Sequence, residues 1–259
     1  QFDMIISKLQ GGLGNQIFQW AYGRSVSSLH GFNFQLDIGS YNHDSRRKYS
    51  LDKFPNIFDP ILNSPQQGNF QRIMDDFNYR DIDFDSQGKY YLDGYWQSEK
   101  YFIKSEDLIK SELSPTESIL SKSQNILPKS SINVSIHIRR TDYLESNGYH
   151  PIQPIEYYQN GLDLIGLYDN IIVFSDDISW CKSNLKFNNM IFIDGFSDIE
   201  DLWLMNLCDH NIIANSSFSW WGAWLNNNPN KKVIAPIKWF GDKTNLNTDD
   251  IIPNNWIKI

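Results

Sequence analysis

Cysteine is almost missing from this chain: Cys181 and Cys208 are the only two in 259 residues. Both fall in helix-like apolar settings, so two reduced core thiols are expected in place of a disulfide or thiolate metal site, which favours the cytoplasm. Uninterrupted apolar runs of bilayer length are also lacking, so the chain reads as soluble and globular, with peripheral attachment to a membrane left open. Met4 leads into strand-like Ile5-Ile6 and then Lys8, with no basic segment ahead of an apolar one, so this start reads without a signal peptide. Positive charge is in deficit: 23 Lys and Arg face 31 Asp and Glu, a net charge of −8. Such a balance argues against a nucleic-acid partner, and an anionic nucleotide has to be held by local cations.

What is present, 41% hydrophobic residues along 259 positions, leaves room for two modest Rossmann-like halves or one large α/β domain. The most informative stretch is Asn133-Val-Ser-Ile-His-Ile-Arg-Arg-Thr-Asp-Tyr143. Val134, Ile136 and Ile138 alternate with Ser135, His137 and Arg139, the pattern of a core strand running into adjacent arginines. Arg139 and Arg140 therefore stand at a strand's carboxyl end, the edge where open α/β sheets bind ligands. A guanidinium fork matches the paired oxygens of a phosphate, so a diphosphate is the expected guest. Arg140 alternates to the side opposite Arg139 and either closes on the ligand or fastens the loop, while His137 shares the Arg139 side. Asp142 serves either as a general base or as the ion-pair partner of an arginine.

Upstream, Met4 to Leu9 reads as a strand and Ile17 to Leu29 as a helix stopped by Gly31, with Asn15 as its N-cap. Between them Gly11, Gly12 and Gly14 match neither the dinucleotide fingerprint nor a P-loop, but allow backbone amides to approach a ligand. From 38 to 88 the periodicity is poor, and acceptor contacts are expected among these irregular excursions. Asp81, Asp83 and Asp85 read as a solvated acidic strip, since Asn78-Tyr-Arg80 before them is no apolar strand, and no metal is expected. Ser98 is expected to cap a helix reaching about Leu113, followed by a capping box at Ser114-Pro-Thr-Glu117 with Pro115 at the first helical position. The polar run 121–125, with Pro128 and Ser130-Ser131 beyond it, marks a boundary between domains 1–127 and 128–259.

Past that boundary strands and helices alternate. Helices are expected from Pro154 to Ile165, Asp177 to Leu185, Ser197 to Cys208 and Phe218 to Asn226. Strands are expected at 170–174, 190–193, 211–214 and 232–235, which makes a doubly wound parallel sheet. Ser175-Asp176-Asp177 again ends a buried strand; one acid caps the next helix and the other accepts the ring N–H and exocyclic amine of guanine. Asn215-Ser216-Ser217-Phe218 is a hydroxyl-rich turn between strand and helix, the form of an anion site at a helix N-terminus. Ser217 or Ser219 is expected to cap that helix, and Trp220, Trp221 and Trp224 to pack in the core.

Four of these segments resemble one family. His137-Ile-Arg-Arg-Thr-Asp142 resembles the HxRRxD motif shared by α1,2-, α1,6- and protein O-fucosyltransferases. Gly11-Gly-Leu-Gly-Asn-Gln-Ile-Phe-Gln19, Phe174-Ser-Asp-Asp-Ile-Ser-Trp-Cys-Lys182 and Asn215-Ser-Ser-Phe-Ser-Trp-Trp-Gly-Ala-Trp-Leu-Asn226 resemble the other motifs of bacterial-type α1,2-fucosyltransferases. The resemblance implies an α/β protein of two facing Rossmann-like domains, the glycosyltransferase B arrangement, with acceptor-side elements in the first and the nucleotide sugar in the second. It implies inverting transfer of L-fucose from GDP-β-L-fucose to the 2-hydroxyl of a terminal β-galactoside, without a metal or other cofactor. Arg139, Arg140, Asp142 and Asn15 would then serve catalysis. Gly12, Gly14, His137, Arg139, Ser175, Asp176, Asp177, Asn215, Ser216, Ser217 and Phe218 would flank the donor.

Overall fold

Strand β1 (Met4–Lys8) sends alternate side chains to opposite faces of a parallel sheet, and the helix that follows it, α1 (Leu13–His30), covers one of them. The computed structural model describes residues 3–63, 68–85 and 87–259. The chain divides into two compact units, the first running to Ser114 and taking back Asn247–Pro253, the second holding Pro115–Leu246 and Asn254–Ile259.

In the first unit β2 (Asn33–Asp37), β3 (Ile61–Leu62), β4 (Gln71–Met74) and β5 (Lys89–Asp93) join β1 in the order β3-β2-β1-β5-β4, all parallel. Ile5, Phe34, Leu36, Ile73, Tyr90 and Leu92 are buried. Helix α1 approaches so closely that a Cβ on Gly23 would stand 2.2 Å from Ser7 Oγ and 2.4 Å from Phe34 Cε2. It ends at Gly31, whose left-handed φ of +73° suits glycine and lets its N–H donate to Ser27 O at 2.8 Å. The helix expected from Ser98 to Leu113 is instead two 3₁₀ turns, Glu99–Tyr101 and Ile103–Ser105, and a short α2 (Glu106–Glu112). Ser98 caps only the first turn; Tyr101 and Phe102 are drawn into the aromatic core beside Tyr22 and Phe18, and Phe102 leaves helical geometry at φ −139°, ψ 1°. Leu29, in the last turn of α1, is 53% exposed.

The second unit contains α3 (Glu117–Ile126), β6 (Asn133–Ile138), α4 (Thr141–Leu144), α5 (Ile155–Ile165), β7 (Asn170–Ser175) and α6 (Ile178–Asn184). There follow β8 (Met190–Phe192), α7 (Asp198–Leu207), β9 (His210–Ile212), α8 (Ser217–Trp224), β10 (Val233–Ala235) and β11 (Ile257–Lys258). The strands lie parallel in the order β8-β7-β6-β9-β10-β11, which in chain order is the 3-2-1-4-5-6 of a dinucleotide-binding sheet. Strand β7 feeds two cores: Ile171 and Val173 pack with Tyr158 and Leu162 of α5, while Ile172 and Phe174 pack with Leu204 and Met205 of α7. Cys181 and Cys208 are free and buried in these cores, as their apolar settings imply.

Several caps settle differently from their sequence expectation. Thr116, not Ser114, accepts the Ile119 N–H at 3.3 Å, so α3 starts at Glu117 and Pro115 lies outside it. On the far side of α3, Lys122 pairs with Glu200 at 2.6 Å and stacks over Phe196, which ties α3 to α7 and the second sheet. Ser197 and Glu200 form a reciprocal capping box at the start of α7.

Candidate active site

Strand order reverses in the second sheet between β6 and β9, and a ligand crevice is expected where the carboxyl ends of two such strands diverge. The segment after β6 is Arg139–Asp142, the segment after β9 holds Asn215–Phe218, and Ser175–Asp177 follows the neighbouring β7. Hydrogen bonds lock these three segments together. Asp176 accepts the backbone N–H of Arg140 at 2.9 Å and of Thr141 at 3.1 Å, and also the Thr141 hydroxyl. Tyr143 donates its hydroxyl to Asn215 O at 2.7 Å.

Arg139 pairs with Asp142 through Nη2 at 2.8 Å and lies 3.4 Å from Asp176 Oδ2 through Nε. Burial opposes its charge, but the hydrogen bond to Asp142 and the field of Asp176 outweigh it and raise its pKa. Its side chain stays 22% exposed, so a cation braced by two acids still presents an edge to solvent. Arg140 turns the other way, with Nε 3.4 Å from Asp177 Oδ2 and its guanidinium carbon 3.8 Å from the centre of the Trp180 ring. It fastens the strand end to α6 by charge and stacking.

Asp177 also caps α6, accepting the Trp180 N–H at 3.2 Å, and its own N–H donates to Ser175 Oγ at 2.9 Å. Both acids thus have partners within the protein: Asp176 is engaged by the arginine loop, while Asp177 is the more exposed of the two, 29% against 17%. His137 is buried, and its ring meets Phe218 edge-on at 5.8 Å. Burial first, then the charge of Arg139, lowers its pKa to about 3, so the imidazole is neutral at pH 7. Its Nδ1 has no hydrogen-bond partner among the described residues.

Asn215 is buried and fully bonded. Its Nδ2 donates to Pro151 O and Trp239 O, each at 3.0 Å, and its Oδ1 accepts from Gln153 Nε2 at 3.1 Å. Ser216 occupies the N-cap of α8, a position expected for Ser217 or Ser219; among the described residues no side chain caps the helix, so its first amides have no side-chain acceptor, with Ser217 and Phe218 half-buried beside them. Trp220, Trp221 and Trp224 are buried, as expected.

Gly12, Gly14 and Asn15 belong to the first unit, at the carboxyl end of β1. Gly12 is the N-cap of α1, so Asn15 lies inside the helix and does not cap it; its Oδ1 accepts from Gln97 Nε2 at 2.8 Å instead. The glycine loop owes its shape to Gly11, at φ +79°, whose carbonyl accepts from Gln16 Nε2 and Tyr41 OH. Asp81, Asp83 and Asp85 are exposed. The sequence reading missed Tyr143, Gln153 and Tyr158, whose hydroxyl donates to His137 O at 2.8 Å. Of these, only Tyr143 stood within a motif, one residue past Asp142.

The sequence pattern of glycosyl transferase family 11 matches residues 61–259. The chain belongs to that family. It is a family 11 glycosyltransferase, 32% identical to an α-1,2-colitosyltransferase of Escherichia coli over 99% of both chains. It is 27% identical to galactoside α-(1,2)-fucosyltransferase 1 of Bos taurus over 52% of this chain and 43% of that one. Its fold is similar to that of the α-1,6-fucosyltransferase NodZ, in a crystal soaked with GDP-fucose, with a TM-score of 0.55 at 14% identity over 87% of this chain and 93% of the other. The likeness shows the two-domain α/β fold of glycosyltransferase B type. Among the described residues no helix of this family 11 protein is long and apolar enough to cross a membrane.

Proposed function

We propose that this chain transfers L-fucose from GDP-β-L-fucose to the 2-hydroxyl of a terminal β-galactoside, with inversion at the anomeric carbon. The observation that carries the reading is the joining of Arg139–Asp142, Ser175–Asp177 and Asn215 at the switch point of the second sheet, with the edge of Arg139 exposed beside them. The names of the bovine relative and of the NodZ crystal support the acceptor class and the GDP-bound donor.

In this reading the bond from the anomeric carbon to the β-phosphate oxygen breaks as the acceptor oxygen bonds to that carbon, and the hydroxyl proton passes to a base. Negative charge grows on the departing diphosphate, where Arg139 and the first amides of α8 beside Ser216 and Ser217 stabilise it. Asp142 and Asp176 orient Arg139, and Arg140 braces the loop through Asp177 and Trp180. Neutral His137 and Phe218 flank the nucleoside. Asp177, the acid with more exposure and fewer hydrogen bonds, is assigned to guanine. The family resemblance, and not geometry within either unit, assigns Gly12, Gly14 and Asn15 to the sugar.

A second donor is favoured by a specific observation, the 32% identity to a colitosyltransferase along nearly the whole chain. Colitose lacks the 3-hydroxyl of fucose, so a site with a polar group aimed at that hydroxyl would discriminate strongly between them. The deciding experiment offers GDP-fucose and GDP-colitose in competition with a panel of β-galactosides, followed by linkage analysis of the product. Transfer of neither sugar overturns the reading. Asp177→Ala is expected to weaken GDP binding by about 1.5–3 kcal/mol, and equal affinity for GDP and UDP in the native protein would remove the guanine assignment. Transfer is expected to persist in excess EDTA; loss restored by Mn²⁺ would make ligands of Asp81, Asp83 and Asp85.

A further inference from the structure

The face of the first sheet opposite α1 turns polar toward the carboxyl ends of its strands, beyond the buried Ile6. Register places Lys8, Asp37, Arg72, Tyr91 and Asp93 on that one face, whereas parallel sheets are ordinarily apolar on both. Above it lies a cavity of about 610 Å³, within the usual range for ligand sites, walled by the turn after β2 at Gly39–His43 and by Asn63 and Phe70.

The charges on the floor cancel in place. Asp93 pairs with Lys8 at 3.1 Å and also with Arg72, and Tyr91 donates its hydroxyl to Asp37 at 2.6 Å. A floor neutralised in this way offers many donors and acceptors but little net field, which disfavours an ionic guest. Tyr91 and Phe70 add aromatic rings to its lining. Neutral, polyhydroxylated and apolar on its ring faces, a saccharide satisfies every one of these features. The turn over the cavity is also rigidly set: Asn42 Nδ2 donates to Asn63 O at 2.9 Å, and Tyr41 donates to Gly11 O at 3.1 Å, tying the wall to the glycine loop.

We propose that this charge-balanced floor is an acceptor subsite that binds the sugar units of a β-galactoside oligosaccharide other than the galactose being modified. The inference rests on the reading that the acceptor is an oligosaccharide, and it assigns recognition of acceptor length to Arg72, Tyr91 and Phe70. Arg72→Ala and Phe70→Ala serve as test variants: Arg72 is exposed, and Asp93 keeps Lys8 when it is removed.

The experiment measures transfer to methyl β-galactoside and to a galactose-terminated tetrasaccharide, and in parallel titrates the tetrasaccharide into the nucleotide-free protein while observing its ligand NMR signals. Each variant is expected to raise KM for the tetrasaccharide about tenfold, the scale of one lost polar or stacking contact, while leaving methyl β-galactoside and the donor KM unchanged. Weakened tetrasaccharide binding without nucleotide supports the subsite even if neither GDP-sugar is a donor, because that arm needs no transfer. Equal effects on both acceptors, or tetrasaccharide binding unaltered in both variants, overturn it.

Discussion

Helices cover the second sheet on both faces, whereas among the described residues the first has α1 on one face and, on the other, charged side chains gathered at the strands' carboxyl ends beyond the buried Ile6. The difference lies in strand composition. Strand β7, Asn170-Ile-Ile-Val-Phe-Ser175, is apolar at four successive positions and supplies both cores. Strand β4, Gln71-Arg-Ile-Met74, buries Ile73 alone and turns Arg72 outward. Both sheets carry an arginine held by carboxylates, but Arg139 stands at a switch point and Arg72 on an open floor. A doubly covered sheet fixes a strand end rigidly enough to aim a cation at developing charge, while a singly covered one leaves a surface for a larger and more variable ligand.

The sharpest way to break this contrast is to remove each arginine in turn. Arg139→Ala is expected to lower kcat by roughly 10²–10³, the scale of one lost preorganised donor, and Arg139→Lys to impair transfer strongly because the planar fork is lost. Arg72→Ala leaves kcat unchanged. Steady-state kinetics on folded variants checks both, and near-normal kcat in Arg139→Ala would reduce the arginine loop to a structural role.

Titration gives a second test. His137 has an ordinary pKa of 6.5 when unfolded and about 3 when folded, so below pH 6.5 the unfolded chain binds a proton that the folded chain refuses. Its contribution to stability is therefore whole above pH 6.5 and is lost as pH falls towards 3, by up to about 1.4 kcal/mol per pH unit. His137→Asn is expected to flatten that part of the curve in urea unfolding at a series of pH values. Unchanged slopes would mean that the imidazole is solvated.

The same contrast decided what the sequence revealed. From Pro154 to Ala235 helices and strands lie within a few residues of their expected places, because doubly buried strands are apolar runs and Asp177 and Ser197 announce their helices, while the two-residue edge strand β11 was not foreseen. In the first half β2 and β4 were unreadable. A short strand with one covered face has only two or three apolar residues, which a loop matches equally well. At the site, Arg139, Asp176 and Asn215 were legible as motif residues. The roles of Tyr143, although it stands beside a motif, and of Gln153 were not, since their hydrogen bonds to Asn215 span 72 and 62 positions of sequence and carry no local signature.

Packing of α1 offers a test confined to the first sheet. Alanine is ordinarily worth about 1 kcal/mol over glycine inside a helix, so Gly23→Ala would stabilise an exposed site. Here the new methyl meets Ser7 Oγ and Phe34, and overpacking of that kind costs about 1–3 kcal/mol. A lowered Tm is expected; a raised one would show that α1 shifts freely on the sheet.

The smallest expected effect compares one chemical change on the two sheets. In the second unit Tyr157 donates to Ile213 O at 2.6 Å in a buried setting, and Tyr157→Phe leaves that carbonyl without its donor and out of reach of water. The expected loss is about 1–2 kcal/mol. Tyr91→Phe removes an equally short bond to Asp37, but Asp37 Oδ1 keeps the Gly39 N–H at 2.8 Å, and since Tyr91 and Asp37 both line the cavity, the space left by the lost hydroxyl opens to it and lets water reach the other oxygen. Its stability is expected to stay within about 0.5 kcal/mol of the native protein. Chemical denaturation of the two variants side by side measures the difference, and equal losses would mean that the polar face of the first sheet is as dry as the core of the second.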